Sequence, residues 1–195
     1  MAPNPLPFRI QQQQCTEWCW AAVVSSVASF ANSDQQPEQC EIVDKEAFSP
    51  NNPSPGCCNE ANRCKAREPH QICNAKGSVG SVLGDYNLTQ DPSGQIPSPS
   101  DLAKIKQQID NCCVVVIQVA DRAHPGIAHV MVITGYGDDD TVFVADPADA
   151  DTHFTYSYSA LLNALPGSAG DSNWCLSKFF TTIPGPCGGA SDASN

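Results

Sequence analysis

The sequence predicts an α+β fold, in which an N-terminal helical part packs on a twisted C-terminal antiparallel β-sheet. The helical part is led by a segment that begins at Cys19 and contains neither Gly nor Pro through Ala31. Its apolar side chains recur at steps of three and four residues, which is the period of a half-buried helix. From Cys113 to Ile183 the pattern changes to short runs of β-branched and aromatic residues between turn residues, which indicates about five strands.

The Cys19 thiol is predicted to lie at the N-terminal end of this first helix. Thr16 is a suitable N-cap residue, and Glu17 suits a first helical turn. The unpaired N–H groups and the helix dipole would then favour a negative charge on the sulfur. The dipole contributes about 0.3–1 kcal/mol, less than one pKa unit, so a nucleophilic Cys19 still requires a cationic partner such as a histidine.

His129 is the candidate for that partner, because it opens an apolar run that is typical of a buried strand. Residues 129–137 are rich in β-branched side chains and end in Gly-Tyr-Gly. An Asp-rich turn follows at residues 138–140, and residues 142–147 return as a second strand. A hairpin brings its first and last residues together, so His129 and Asp146, 17 positions apart, are expected to be hydrogen-bonded neighbours. The carboxylate would orient the imidazole and stabilise its protonated form.

These motifs together resemble the papain-like cysteine peptidases. The shared features are Gln13 six residues before Cys19, the Cys-Trp-Ala start of the helix, the His129 strand ending in Gly-Tyr-Gly, and the pair Asp146-Pro147. The run Trp-Cys-Trp-Ala-Ala that surrounds Cys19 is most similar to the compact bacterial branch, which includes secreted effector proteases. The Asp-Pro pair is similar to the bacteriocin-leader peptidases, in which Asp replaces the Asn of papain. The Cys-Gly-Ser-Cys-Trp and Asn-Ser-Trp-Gly motifs of papain are missing from the sequence.

The resemblance implies a papain-like fold and a role for each of four residues. Cys19 would be the nucleophile, His129 the general base and acid, and Asp146 the residue that orients His129. The side-chain amide of Gln13 and the backbone N–H of Cys19 would form the oxyanion hole. This chemistry requires neither a metal nor another cofactor.

Three other residues compete for these roles. Cys15 precedes the helix, and we expect it to form a disulfide with the segment 57–73. His124 lies before a proline and therefore belongs to a loop, with no orienting carboxylate apparent from the sequence. Asn173 and the tryptophan after it resemble the Asn and Trp of papain, but they follow a helix-like segment and lie farther along the chain.

The charge and the apolar pattern exclude several classes of partner. Ten Lys and Arg oppose 21 Asp and Glu, the net charge is -11, and the sequence contains no basic run. A nucleic-acid backbone would be repelled, whereas basic peptides remain possible partners. No apolar stretch reaches the roughly 20 residues that span a bilayer, and the first five residues do not form a signal peptide. We expect a mature form that carries an added Met.

The 11 cysteines indicate an oxidising compartment. If Cys19 is a free nucleophile, 11 − 1 leaves ten cysteines, which is enough for five disulfides. Each bridge would contribute about 2–4 kcal/mol, and such bridges persist in secreted proteins. The adjacent pairs Cys57-Cys58 and Cys112-Cys113 are expected to bond to distant partners, because neighbouring cysteines rarely meet the distance limits of a bridge.

Residues 33–77 show no periodicity and are rich in Pro, Asn, Ser and Cys. A loop of this length is uncommon unless it is cross-linked, bound or disordered, and its five cysteines favour cross-links. The alternative is a zinc site, although the spacing matches no familiar zinc finger. Its ligands would come from Cys57, Cys58, Cys64, His70 and Cys73.

The remaining elements follow from local periodicity. Residues 78–86 predict a short helix, and residues 101–109 predict another with Ser100 as its cap. Further strands are predicted at 113–120 and 175–183, together with a strand on which Phe154, Tyr156 and Tyr158 alternate and a helix-like segment at 159–165. We expect one domain at residues 1–183, helical and disulfide-rich over about 11–111 and β-sheet over about 112–183. A tail at 184–195, mobile apart from Cys187, is expected to follow.

The sequence therefore predicts a secreted, monomeric cysteine endopeptidase that cleaves protein or peptide substrates through a thioester and binds neither nucleic acid nor membranes. One alternative is an acyltransferase or transglutaminase-like enzyme that passes the same thioester to an amine. Another is a secreted, disulfide-rich binding module with a vestigial triad. Product analysis with and without an added amine separates the first alternative from the peptidase, and a thiol-reactive peptide probe separates the second.

Overall fold

The computed structural model describes residues 5–31, 34–47, 56–60, 62–64, 73–165 and 173–187. Four helices precede the first four strands, and a fifth helix separates the last two strands. The helices are α1 (Cys19–Phe30), α2 (Gln39–Ala47), α3 (Val79–Asp85), α4 (Leu102–Asp110), which follows a 3₁₀ turn at Pro99–Asp101, and α5 (Tyr158–Asn163). The strands are β1 (Val115–Asp121), β2 (Ala128–Tyr136), β3 (Thr141–Asp146), β4 (Asp149–Ser157) and β5 (Trp174–Thr181).

The five strands form one antiparallel sheet in the order β4-β3-β2-β1-β5. Helices cover both of its faces, which explains why the central strands consist of nearly continuous apolar runs. On one face Val116 and Val132 pack with α1, α2 and α3. On the other face Ile117 and Ile133 pack with α4 and α5. The predicted α+β class and the predicted sheet of about five strands are both confirmed.

Helix α1 is buried on nearly all sides, whereas its sequence predicts a half-buried helix. Eleven of its 12 residues are buried, and Ser29 is the exception. It packs against α2, α3 and β2. A helix enclosed in this way cannot shift without disturbing the core, so its first residue, Cys19, is held in a fixed position.

Helix α2 lies inside the region that the sequence predicts to be irregular. It has nine residues, of which Gln39, Cys40, Ile42 and Val43 are buried. A helix this short is marginal on its own and depends on tertiary packing. Here that support comes from α1 and from the disulfide between Cys40 and Cys58, neither of which is visible in local periodicity.

Two predictions about element ends were wrong. Ser98, and not Ser100, begins the turn before α4, because its backbone N–H and its hydroxyl both bond to the Asp101 carboxylate, at 2.8 and 2.7 Å. This capping box starts the helical path one residue before Pro99. Tyr158 opens α5 instead of ending a strand, since the Ser157 hydroxyl caps that helix.

Four disulfides cross-link the described residues, where the sequence predicts five. Cys19, Cys113 and Cys175 are free. Cys175 lies opposite Ala120 near the end of β1, whereas Cys113 precedes the start of that strand. Seven residues of extended chain separate them by roughly 23 Å, so they cannot bond to each other. The bridges are Cys15–Cys64, Cys40–Cys58, Cys57–Cys73 and Cys112–Cys187.

This pairing confirms some predictions and contradicts another. Cys15 does bond within the segment 57–73, and no bridge joins two adjacent cysteines. The zinc alternative is wrong for the four cysteines that it invoked, because all four are in disulfides. Its fifth candidate ligand, His70, lies outside the described residues.

Backbone hydrogen bonds connect both ends of the described chain to β2 and to the residues before β1. Residues 5–10 have no helix or strand, and the N–H of Leu6 donates to the Thr134 carbonyl at 2.8 Å. Near the other end the N–H of Gly185 donates to the Cys112 carbonyl at 2.9 Å. Residues 188–195 of the predicted tail are outside the described residues. Among the helices described, none has both the length and the apolar character that crossing a membrane requires.

Candidate active site

A cleft of about 650 Å³ lies where the start of α1 faces the strands β1, β2 and β3. The structure brings all four predicted site residues to this cleft. They are Gln13, Cys19, His129 and Asp146. Residues from parts of the chain more than 100 positions apart therefore share one surface.

Cys19 is the first residue of α1 and carries a free thiol that is 8% exposed. The predicted N-cap, Thr16, does not cap the helix. The residues before α1 form a turn in which the N–H of Trp18 donates to the Cys15 carbonyl at 3.1 Å, so Trp18 becomes the N-cap and Glu17 precedes the helix. Trp18 offers no side-chain cap. The first N–H groups of α1 therefore keep their preference for an anion beside Cys19.

The tryptophans on either side of Cys19 anchor the start of α1 to the segment that precedes α3. The Trp18 indole N–H donates to the Cys73 carbonyl at 2.6 Å, and the Trp20 indole N–H donates to the Ala75 carbonyl at 3.1 Å. Gly77 lies against the Trp20 ring so closely that a Cβ there would be 2.4 Å from it. Sequence reasoning missed these contacts. The available signal was that buried indole N–H groups need an acceptor.

His129 and Asp146 are hydrogen-bonded neighbours, as the hairpin argument predicts. The His129 Nε2 atom lies 2.6 Å from the Asp146 Oδ1 atom, and both side chains are mostly buried, at 23% and 19% exposure. The same carboxylate oxygen accepts from the N–H of Ala148 at 2.8 Å. Two donors therefore fix the Asp146 carboxylate against the imidazole ring.

The Cys19 thiol lines the same cleft as the His129 ring and interacts with it closely enough to help raise the pKa of that histidine. Because the Nε2 atom faces Asp146, the nitrogen left for the thiol is Nδ1. One ring nitrogen thus bonds to Asp146, while the other remains available to Cys19, which lines the same cleft.

The surroundings raise the pKa of His129 from 6.5 to about 9. Burial is the largest single influence and lowers this pKa, because it disfavours the charged ring. The hydrogen bond to Asp146 and its negative charge, together with the interaction with Cys19, outweigh burial and raise it. The imidazole is accordingly protonated at neutral pH, which is an uncommon state for a histidine that is mostly buried.

Gln13 lies in the cleft, but the N–H groups of its amide already bond to backbone carbonyls. Its Nε2 atom donates to the carbonyls of Cys15 and Thr16 at 3.1 and 3.0 Å. Its Oε1 atom is buried and has no hydrogen-bond partner within the described residues. Exchanging the two amide atoms would point the oxygen at two carbonyls, so the hydrogen-bond network determines this orientation. In this arrangement Gln13 does not present a donor to the space beside Cys19.

The competing residues lie elsewhere or are already bonded. His124 does have a carboxylate partner, contrary to the sequence-based expectation, since its Nδ1 atom is 2.7 Å from the Asp121 Oδ2 atom. Its side chain is 68% exposed, and it does not line the cleft. Asn173 also lies outside the lining, although the tryptophan after it, Trp174, does line the cleft, and Cys15 is in a disulfide.

One group of side chains has the spacing of metal ligands within the described part of the chain. It consists of Asp44, Cys57 and Cys73. Both sulfurs belong to a single disulfide, and the carboxylate accepts from the Cys57 N–H at 2.6 Å. These contacts occupy the group, so it does not fit a metal ion.

Comparison with known proteins places the chain in a family. The curated proteins give no match to this sequence. A family model described as the Peptidase_C39 like family matches residues 5–165, which includes α1, the His129–Asp146 hairpin and all four predicted site residues. The observed packing of helices on a five-stranded antiparallel sheet is consistent with a papain-like peptidase fold. We conclude that this chain belongs to the Peptidase_C39 like family, which indicates a function of the cysteine-peptidase type.

Proposed function

We propose that this protein is a secreted cysteine endopeptidase in which Cys19, His129 and Asp146 act as a catalytic triad. The observation that carries the proposal is that His129, bonded to the Asp146 carboxylate at 2.6 Å, shares one cleft with the free thiol of Cys19, which helps to raise its pKa. A histidinium beside a cysteine is the arrangement that supplies a thiolate nucleophile. Family membership supports protein or peptide substrates.

In the proposed reaction, the Cys19 thiolate attacks the carbonyl carbon of the scissile peptide bond. The resulting tetrahedral intermediate collapses as His129 transfers its proton to the leaving amine, which leaves an acyl group on the sulfur as a thioester. His129 then removes a proton from water, and the hydroxide attacks the thioester. Collapse of the second intermediate releases the carboxylic acid and restores the Cys19 thiolate beside a protonated His129. Asp146 keeps the ring oriented throughout.

The proposed oxyanion hole consists of the Cys19 backbone N–H and the Gln13 amide. The first N–H groups of α1 support the Cys19 part, since no side chain caps this helix end. For Gln13 to take part, its amide must exchange one of its bonds to the carbonyls of Cys15 and Thr16 for a bond to the oxyanion. Those carbonyls keep one amide donor in place while the other turns toward the substrate.

Secretion is part of the proposal because of the disulfides. Four bridges join eight of the 11 cysteines. Such bridges persist in oxidising compartments, and cytosolic thiol pools reduce them. Mass mapping of the thiols in the native protein, isolated from the extracellular fraction under non-reducing conditions, tests this point. We expect these four pairs and free thiols at Cys19, Cys113 and Cys175.

A peptide probe with a thiol-reactive warhead tests the nucleophile. We expect one equivalent of label on wild-type protein and none on Cys19→Ala, with Cys175→Ala as the matched control that retains full labelling. Label that persists on Cys19→Ala would show that another thiol reacts. Failure of both proteins to react would favour the binding-module alternative. Adding an amine during turnover separates hydrolysis from acyl transfer, since only the latter incorporates the amine into the product.

A further inference from the structure

The Gln12 side chain bonds to the backbone that follows the Asp146 strand. Its Nε2 atom donates to the Ala148 carbonyl at 2.8 Å, and its Oε1 atom accepts from the Ala150 N–H at 3.0 Å. These partners are 136 and 138 positions away in sequence. The amide therefore pairs with the turn much as a peptide group pairs across an antiparallel sheet.

The turn that Gln12 holds is the one that orients the Asp146 carboxylate. The N–H of Ala148 donates to the Asp146 Oδ1 atom, the same oxygen that faces His129. The Ala148 carbonyl accepts from Gln12, while the N–H of Gln13 donates to the Pro147 carbonyl at 2.8 Å. Both sides of the Ala148 residue are thus fixed, one to the carboxylate and one to the N-terminal segment.

The N-terminal segment is itself anchored to the helices. The buried Gln39 of α2 donates from its amide to the Gln12 carbonyl at 2.9 Å and accepts from the Gln14 N–H at 3.0 Å. The N–H of Gln11 donates to the Ser26 hydroxyl of α1 at 2.9 Å. Helix α1 also carries Cys19, so this segment connects the sulfur side of the cleft to the carboxylate side.

We propose that Gln12 is a positioning residue that acts through Ala148 to hold the Asp146 carboxylate in line with His129. The proposal rests on the proposed function where it concerns turnover. Its geometric part, the alignment of Asp146 with His129, does not depend on any activity. Gln12 is exposed, so its removal takes little apolar contact from the core.

The test compares Gln12→Ala and Gln12→Met with the matched control Gln14→Ala. Met keeps the length of the side chain but has neither a donor nor an acceptor for the turn. Gln14 is an exposed glutamine two positions away, and within the described residues its side chain makes no hydrogen bond that would tie it to the turn. Thermal unfolding of each variant establishes that it is folded before comparison.

The primary readout is an NMR titration of His129, performed in the Cys19→Ala background so that neither turnover nor the thiol contributes. We expect the His129 pKa to fall by about half a unit or more in both Gln12 variants, because a loosened Asp146 stabilises the imidazolium less. Gln14→Ala should leave it unchanged. An unchanged His129 pKa in both Gln12 variants would overturn the proposal, whatever the kinetics show.

The second readout uses the intact nucleophile. We expect both Gln12 variants to lower kcat about tenfold while KM stays within about twofold, since misalignment affects the reacting groups more than substrate binding. Gln14→Ala should retain wild-type kcat. If the titration shift appears but the wild-type protein cleaves no peptide, the role of Gln12 stands and the peptidase function fails.

Discussion

Replacing Asp146 with alanine should lower the pKa of His129 and the stability that depends on its protonation. The pKa of His129 is raised from 6.5 to about 9, and Asp146 is the first of the two groups that raise it. A rise of about 2.5 units corresponds to about 3.4 kcal/mol at 1.36 kcal/mol per unit. Because Cys19 shares this effect, we expect Asp146→Ala to lower the pKa by about one to two units.

The associated stability has a defined pH dependence. Since the folded-state pKa of His129 is raised above its unfolded value, protonation stabilises the folded state fully below pH 6.5. This contribution disappears as the pH rises through about 9. The free-energy cost of Asp146→Ala should therefore be about 1–3 kcal/mol larger at pH 6 than at pH 10.

The assay combines an NMR titration of His129, assigned from its loss in His129→Ala, with urea unfolding at pH 6 and pH 10. Asp139→Ala serves as the matched control, because Asp139 is an exposed carboxylate in the turn of the same hairpin. It should change neither the His129 pKa nor the pH dependence. A His129 pKa that stays near 9 in Asp146→Ala, or an unfolding cost that is equal at the two pH values, would refute the reasoning.

Three further predictions concern activity and packing. If the protonated His129 is required, kcat/KM for a peptide substrate should fall as the pH rises through about 9, and a profile still flat at pH 10 would contradict that requirement. If Gln13 supplies an oxyanion donor, Gln13→Ala should lower kcat about 10²–10³-fold with little change in KM, measured by steady-state kinetics; a loss confined to KM would assign Gln13 to substrate binding instead. Gly77→Ala should destabilise the protein by about 1–3 kcal/mol in urea unfolding and change the fluorescence of Trp20, because the new Cβ would lie 2.4 Å from the indole ring. Gly84→Ala is its control, since a Cβ there would lie no closer than 3.1 Å to the Pro92 side chain and Gly84 is not among the glycines with positive φ.

The sequence predicts those helices and strands whose pattern of apolar residues lies within the element itself. Helix α1 and the strands β2 and β3 have long apolar periodicity, and the hairpin length brings His129 and Asp146 to the same end of the hairpin. These parts of the candidate site were predictable for that reason. The face on which His129 and Asp146 meet depends on the β-bulge between Ile133 and Gly135, which shifts the register by one residue and which counting residues does not reveal.

The parts that could not be predicted depend on contacts between distant segments. Helix α2 is stable because of α1 and a disulfide, and the start of α1 is set by the turn at residues 15–18. The direction of the Gln13 amide depends on two carbonyls that a spacing argument cannot see. Parity of the cysteine count suggested five bridges, but the distance along β1 keeps Cys113 and Cys175 apart.

Of the two adjacent cysteines before β1, Cys112 and Cys113, only Cys112 forms a disulfide, and the folded structure explains why. Cys112 and Cys113 are 75 and 187 − 113 = 74 positions from Cys187, so the entropy of closing the two loops is the same to within a negligible amount. In the folded protein Cys113 is buried, and that burial raises its pKa. Thiol–disulfide exchange requires a thiolate that can reach the disulfide. Both the burial and the raised pKa of Cys113 therefore disfavour its attack on the neighbouring Cys112–Cys187 bond. Packing of Cys113 in the core thereby disfavours the exchange that would replace the Cys112–Cys187 bridge with a Cys113–Cys187 bridge.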